Sequence, residues 1–106
     1  MLLAIDAGNT NITFAVFDGA DLCAEWRIAT DGGQRTSDEY AVWLTQLMAL
    51  RGVRPASIDA AIICSVVPTV MFALTRLCHD YFNARPLVVG EPGCRLEIQV
   101  FAPVRR

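Results

Sequence analysis

Apolar residues fall in short dense runs along this chain, and the polar positions between them mark where the backbone turns. Residues 2–5, 12–17 and 22–29 read as three successive strands. Gly8-Asn9 makes the first connection, and Asp18-Gly19 is a strong turn signal for the second. Residues 30–34, with Asp31-Gly32-Gly33 at their centre, read as a flexible loop. A helix begins near Thr36 or Ser37. Thr36 with Glu39 three residues later fits a capping box, and Asp38 and Glu39 suit the positive end of the helix dipole. Tyr40, Trp43, Leu44, Leu47, Met48 and Leu50 supply its apolar side, and Gly52 ends it. Residues 58–67 form a nearly continuous apolar run rich in β-branched side chains, as expected of a strand covered on both faces. Pro68 suits the first turn of a second helix over residues 69–82. Residues 87–89 are a further short strand, and residues 96–100 alternate like another.

Three antiparallel strands followed by helix, strand, helix and strand is the element order of a ribonuclease H-like domain, and of each half of an actin-like ATPase. The expected fold is therefore α/β: a mixed five-stranded sheet with flanking helices. No internal repeat or low-complexity stretch interrupts it.

At 106 residues the chain is one small domain, too short for a two-domain cleft enzyme. Its hydrophobic fraction of 54% and mean hydropathy of +0.38 are high for that size, so some apolar surface should meet a partner. A formal net charge of -2 gives no electrostatic footprint for nucleic acid. The most apolar stretch, residues 60–74, is broken by Ser65, Pro68 and Thr69 and is too short to span a membrane. Asp6 interrupts the opening apolar run and no basic residue precedes it, which argues against a signal peptide. Cys23, Cys64, Cys78 and Cys94 are scattered without a Cys-x-x-Cys pair, and read as free, buried thiols of a reducing cytoplasm. His79 beside Cys78 reads as a surface or helix-end histidine, because helix neighbours point in different directions.

The chemistry concentrates at the first turn. A carboxylate, Asp6, closes an apolar strand and is followed by Ala7, Gly8, Asn9 and Thr10. Gly8 lets backbone approach an anion, Asn9 tolerates the left-handed conformation of a tight hairpin, and Thr10 adds a hydroxyl donor. Asp6 would face the magnesium of a nucleotide through water. The competing reading is a hairpin whose Gly-Asn pair simply makes the turn. Arg35 could reach a phosphate or a partner carboxylate, against a reading of helix capping with a solvated arginine. Ser65-Val66-Val67-Pro68 ends a parallel strand, where open α/β sheets place ligands; a purely structural junction is the alternative. Trp26 and Trp43 read as core or interface rings rather than base-stacking platforms.

Four elements occur in order: Asp6-Ala7-Gly8-Asn9-Thr10-Asn11, Trp26-Arg27-Ile28, Arg35-Thr36-Ser37-Asp38-Glu39-Tyr40 and Ser65-Val66-Val67-Pro68. Together they closely resemble the amino-terminal half of type III pantothenate kinases, enzymes of coenzyme A biosynthesis, from Met1 to about Val100. The Asp-x-Gly-Asn-Thr element alone is only moderately specific, since related phosphate loops occur across actin-like and sugar-kinase ATPases. The resemblance implies that residues 1–100 are an ATP-binding domain. It further implies that Asp6, Ala7, Gly8, Asn9, Thr10, Asn11, Ile12 and Thr13 form its first phosphate-binding element. In that role Asp6 handles the metal-bound phosphates, and Gly8, Asn9 and Thr10 offer donors. ATP and Mg²⁺ are the implied cofactors, with a monovalent cation, K⁺ or NH4⁺, in the full-length family. Pantothenate is a substrate only of a complete enzyme, while the scattered free cysteines suit a cytoplasmic setting and the high apolar fraction leads one to expect a homodimer.

Family members run to more than twice this length. Their second half carries a Gly-Ala-Asp-Arg segment whose aspartate is the catalytic base, a second phosphate element and the cation site, none with a counterpart here. Residues 101–106, Phe101-Ala102-Pro103-Val104-Arg105-Arg106, fit the family poorly and read as a divergent tail, as from a truncated or frameshifted frame or a cut fragment. No residue of the chain is then expected to act as catalytic base, and kinase activity alone should be negligible. Two other classes compete: a noncatalytic nucleotide-binding or transcriptional accessory protein, and a metal-dependent nuclease. The nuclease needs several carboxylates converging on two metals, whereas Asp6, Asp18, Asp21 and Glu39 are dispersed and the chain is acidic. If the tail arose by frameshift, genomic sequence just downstream encodes Gly-Ala-Asp-Arg in another frame; sequencing that region decides it, and its absence there refutes a frameshift.

Overall fold

The computed structural model describes residues 1–89. The expected strand at 96–100, Cys94 and the tail at 101–106 lie outside the described residues. Strands β1 (Leu2–Ala7), β2 (Asn11–Asp18) and β3 (Asp21–Ala29) precede helix α1 (Ser37–Leu50), strand β4 (Ala60–Ser65), helix α2 (Pro68–Phe82) and strand β5 (Leu87–Val89). The five strands form one mixed sheet in the order β3-β2-β1-β4-β5. The β1–β2 and β2–β3 pairs are antiparallel, while β1–β4 and β4–β5 are parallel.

Each element follows from local chemistry. The β2–β3 hairpin closes at Gly19, whose φ of +63° is the left-handed geometry glycine adopts without cost. Thr36 caps α1 as expected: its side chain accepts from the Glu39 amide at 3.2 Å, and the Glu39 carboxylate accepts from the Thr36 amide at 2.8 Å. The helix stops at Gly52 (φ +71°), where the Gly52 amide reaches the Ala49 carbonyl and the Val53 amide the Met48 carbonyl. Pro68 opens α2, where its missing N–H costs nothing, and Asn83 ends it at φ +52°.

Both helices cover one face of the sheet. Strand alternation sends Leu3, Ile5 and Ala7 of β1 and Ile12, Phe14 and Val16 of β2 into one core with Tyr40, Leu44 and Met48 of α1 and Val70, Leu74 and Leu77 of α2. Ala4, Ala15 and Phe17 form a smaller cluster on the opposite face, with Leu2, Leu22 and Ile62 against it. Phe14 stacks edge-on against Trp43 at 5.2 Å, so that tryptophan is a core-margin ring, as is Trp26.

Three expectations are corrected. Leu50 does not join the apolar side of α1: it is 81% exposed, because it closes the last turn beyond the edge of the sheet contact. The strand expected over residues 58–67 is shorter, Ala60–Ser65, since a 3-10 turn at Pro55–Ser57 precedes it and Ser65 breaks the ladder after it. The loop at residues 30–34 holds a 3-10 turn, Asp31–Gly33, packed against α2.

Cys64 and Cys78 are buried free thiols, Cys23 is half-buried, and His79 is exposed near the end of α2 beside Asp80, 2.9 Å from its carboxylate. Burial pushes the Cys78 thiol up to about 12 from an ordinary 9.0. The folded chain thus keeps a proton that the unfolded chain releases above pH 9, so stability from this group is complete below that value and lost as pH rises toward 12. Urea unfolding of wild type and Cys78→Ala should show a stability difference that is constant below pH 8 and shrinks steadily above pH 9. A difference that stays flat to pH 11 refutes the assignment.

Candidate functional site

Asp6 stands one residue from the carboxyl end of β1, at the centre of the sheet. It pairs in register with Thr13 of β2 on one side and Cys64 of β4 on the other. Because Ile5 and Ala7 face the helices, Asp6 and Thr13 share the opposite face, and both are half-buried. The eight residues expected to form one phosphate element therefore divide. Asp6 and Ala7 belong to β1, Gly8, Asn9 and Thr10 form the loop, and Asn11, Ile12 and Thr13 begin β2. Ala7 and Ile12 are core side chains and offer a ligand only backbone, while Asn9, Thr10 and Asn11 are exposed.

The loop closes with the Gly8 amide donating to the Asn11 carbonyl at 2.9 Å. The left-handed conformation expected at Asn9 is not used: the described residues with positive φ are Asp31, Asn83, Gly19, Gly32, Gly33 and Gly52. The three-residue connection is wide enough to turn without it.

Thr30, which sequence reasoning passed over as part of a flexible loop, is buried at 1% exposure directly behind this turn. Its hydroxyl donates to the Gly8 carbonyl at 2.7 Å and its amide to the Thr10 carbonyl at 2.9 Å. The one clue in the sequence is a threonine that ends an apolar strand before Asp31-Gly32-Gly33, and that pattern is too common to single it out.

Ser65 ends β4 and turns the chain into α2. Its hydroxyl accepts from the Val67 amide at 2.9 Å and lies 3.1 Å from the Val67 carbonyl, while the Val66 amide reaches the Ala7 carbonyl at 3.4 Å. Ser65 therefore makes the structural turn, and it also lines an open pocket of about 280 Å³ with Val66, Pro68, Met71 and Val88.

Arg35 is not the solvated side chain expected. It is half-buried, and its guanidinium donates to the Ala29 carbonyl. It borders a second open groove of about 270 Å³ with Gly33, Thr36, Ser37, Thr69, Phe72 and Ala73. The buried Tyr40 hydroxyl lies within the electrostatic reach of Arg35 but makes no hydrogen bond of normal geometry. Burial holds its pKa above the ordinary value, against the opposing pull of Arg35. Among the described residues, no three His, Cys, Asp or Glu side chains gather to hold a metal, and no helix is long and apolar enough to cross a membrane.

The strand order β3-β2-β1-β4-β5 and the crossover through α1 give the chain a ribonuclease H-like fold. A ROK hexokinase from Thermus thermophilus superposes on 82% of this chain and 34% of its own, with a TM-score of 0.56 at 21% identity, which establishes shared fold. Residues 2–103 match the family model of type III pantothenate kinase. Curated type III pantothenate kinases from Rhodospirillum centenum and Rhodospirillum rubrum are 55% and 56% identical over 100 residues, 94% of this chain. The chain belongs to the type III pantothenate kinase family. It spans 38% of the length of those relatives and corresponds to their N-terminal portion.

Gly33 ties the site to α2. A Cβ there would lie 2.5 Å from Thr69 Oγ1 and 3.1 Å from Val70 Cγ1, at a φ of +75° that side chains rarely adopt. Gly33→Ala is expected to cost about 2 kcal/mol or more in urea unfolding, from combined backbone strain and overpacking. A loss under about 0.5 kcal/mol, the scale of an ordinary surface substitution, would show that the turn adjusts freely.

Proposed function

We propose that this chain is the ATP phosphate-binding half of a pantothenate kinase. The whole enzyme would transfer the γ-phosphoryl group of ATP to pantothenate, giving ADP and 4′-phosphopantothenate for coenzyme A biosynthesis. The observation that carries the reading is a half-buried carboxylate, Asp6, at the end of the central strand beside a loop whose backbone is held from behind. A carboxylate repels phosphate unless a cation lies between them. One acidic oxygen set among hydroxyls and amides suits a Mg²⁺ carried in by the nucleotide with its own waters, not an ion caged by protein. In this reading Asp6 holds the hydrated Mg²⁺ of ATP. Gly8 allows close approach, Asn9, Thr10 and Asn11 offer donors to phosphate oxygens, and Thr13 adds a hydroxyl beside Asp6.

Phosphoryl transfer needs the acceptor hydroxyl positioned and the transition-state charge neutralised from both sides of a cleft. This half supplies one wall, so the chain alone binds MgATP with negligible turnover. A cytoplasmic homodimer and a K⁺ or NH4⁺ requirement belong to the complete enzyme in this reading. Exposed Phe72, Leu87 and Val88 are consistent with further protein packing against the domain.

The test is calorimetric titration of the purified chain with MgATP, together with ATP-dependent phosphorylation of pantothenate in Mg²⁺ and K⁺, beside Asp6→Ala. Binding that weakens at least about tenfold in the variant, without turnover in either folded protein, is the expected result. Turnover by wild type that vanishes in Asp6→Ala would overturn the half-site reading. Identical MgATP binding by both would overturn the role of Asp6.

A further inference from the structure

We infer that Thr30 is a positioning residue for the loop at residues 8–10, holding its Asn9 amide in the orientation that receives phosphate. This rests on the reading of that loop as a phosphate element. Thr30 is buried, and its hydroxyl, amide and carbonyl are all engaged. Its hydroxyl and amide take the carbonyls of Gly8 and Thr10, and its own carbonyl accepts from the Gly33 amide at 2.9 Å. Two of these three bonds therefore go to the loop.

Their direction is what matters. In a planar trans peptide the C=O and the following N–H point opposite ways, and the described chain has no cis bond. Pinning the Gly8 carbonyl toward Thr30 aims the Asn9 amide away from it. Pinning the Thr10 carbonyl does the same for the Asn11 amide. The Asn9 amide, on an exposed loop residue, thereby faces away from Thr30, as a backbone anion site requires, whereas the Asn11 amide belongs to the first residue of β2, whose carbonyl takes the Gly8 amide. Thr30 is itself held from behind: Gly33 packs so tightly on Thr69 and Val70 that no side chain fits between them. The start of α2 thereby braces the loop without touching a ligand.

A merely structural threonine and a positioning threonine differ in what their loss does. Thr30→Val keeps shape and burial but leaves the Gly8 carbonyl without its donor; Thr30→Ser keeps the hydroxyl. By titration of the 106-residue chain with MgATP, Thr30→Val is expected to bind about five- to tenfold more weakly, the scale of one neutral hydrogen bond, with Thr30→Ser within about twofold of wild type. In the nucleotide-free chain, hydrogen exchange at the Gly8 amide should speed about tenfold in Thr30→Val, with Leu3 and Ile5 unchanged. If valine prevents folding, Thr30→Ala reads the same two quantities. Unchanged affinity in the valine variant, or weakened affinity that serine does not restore, overturns the inference. If wild type binds no MgATP, the proposed function fails on its own. The exchange measurement then decides Thr30: unchanged Gly8 exchange overturns its hold on the loop.

Discussion

The architecture depends on the central position of β1, which is hydrogen-bonded along its whole length to β2 on one edge and β4 on the other. A strand paired on both edges has no freedom of register, since a shift of one residue would exchange Leu3, Ile5 and Ala7 for Leu2, Ala4 and Asp6 on the helix-covered face. That exchange would bury the Asp6 carboxylate in an apolar core at a cost of several kcal/mol. The register that puts the hydrophobic side chains under the helices is therefore also the one that leaves Asp6 at the mouth of the sheet.

Around that strand, the connections carry polar groups that work as ties between elements. The Ser65 turn sets where α2 begins, and the Val66 amide fastens the same junction to the end of β1. The 3-10 turn at Asp31–Gly33 fills the space between the loop after β1 and the first turn of α2. Thr30 joins the two. Loop, turn and helix start thus form one assembly at the carboxyl ends of β1 and β4, where open α/β sheets present their ligands. The Tyr81 hydroxyl donates to the Asp38 carboxylate and links the end of α2 to the first turn of α1, which raises the Tyr81 pKa.

Much of this was legible in the chain because the relevant physics is local. Strand alternation, the Thr36–Glu39 capping box, Gly19 and Gly52 in left-handed turns and Pro68 opening a helix each involve residues within a few positions of one another. The candidate phosphate loop was equally visible, since its small and polar residues are contiguous. Where sequence reading went astray, the deciding factor was how one element is placed against another. Leu50 continues the helical apolar pattern, yet the sheet ends before it does. Arg35 looks like a solvated cation until β3 brings the Ala29 carbonyl beside it. Asn9 has the chemistry of a left-handed turn residue, but the spacing of β1 and β2 does not demand that geometry.

The sequence by itself determined the elements, their order, the buried faces of the strands and the presence of Asp6 at the head of a small-residue turn. Hydrophobic period and turn chemistry are written residue by residue, and they need no partner to be read. Only the tertiary structure decided which backbone groups of that turn face inward. That choice belongs to Thr30, 22 residues from Gly8 in sequence, delivered to it by the register of β3 on β2. A single hydroxyl carries no periodic signal, so its role exists only once the sheet has formed.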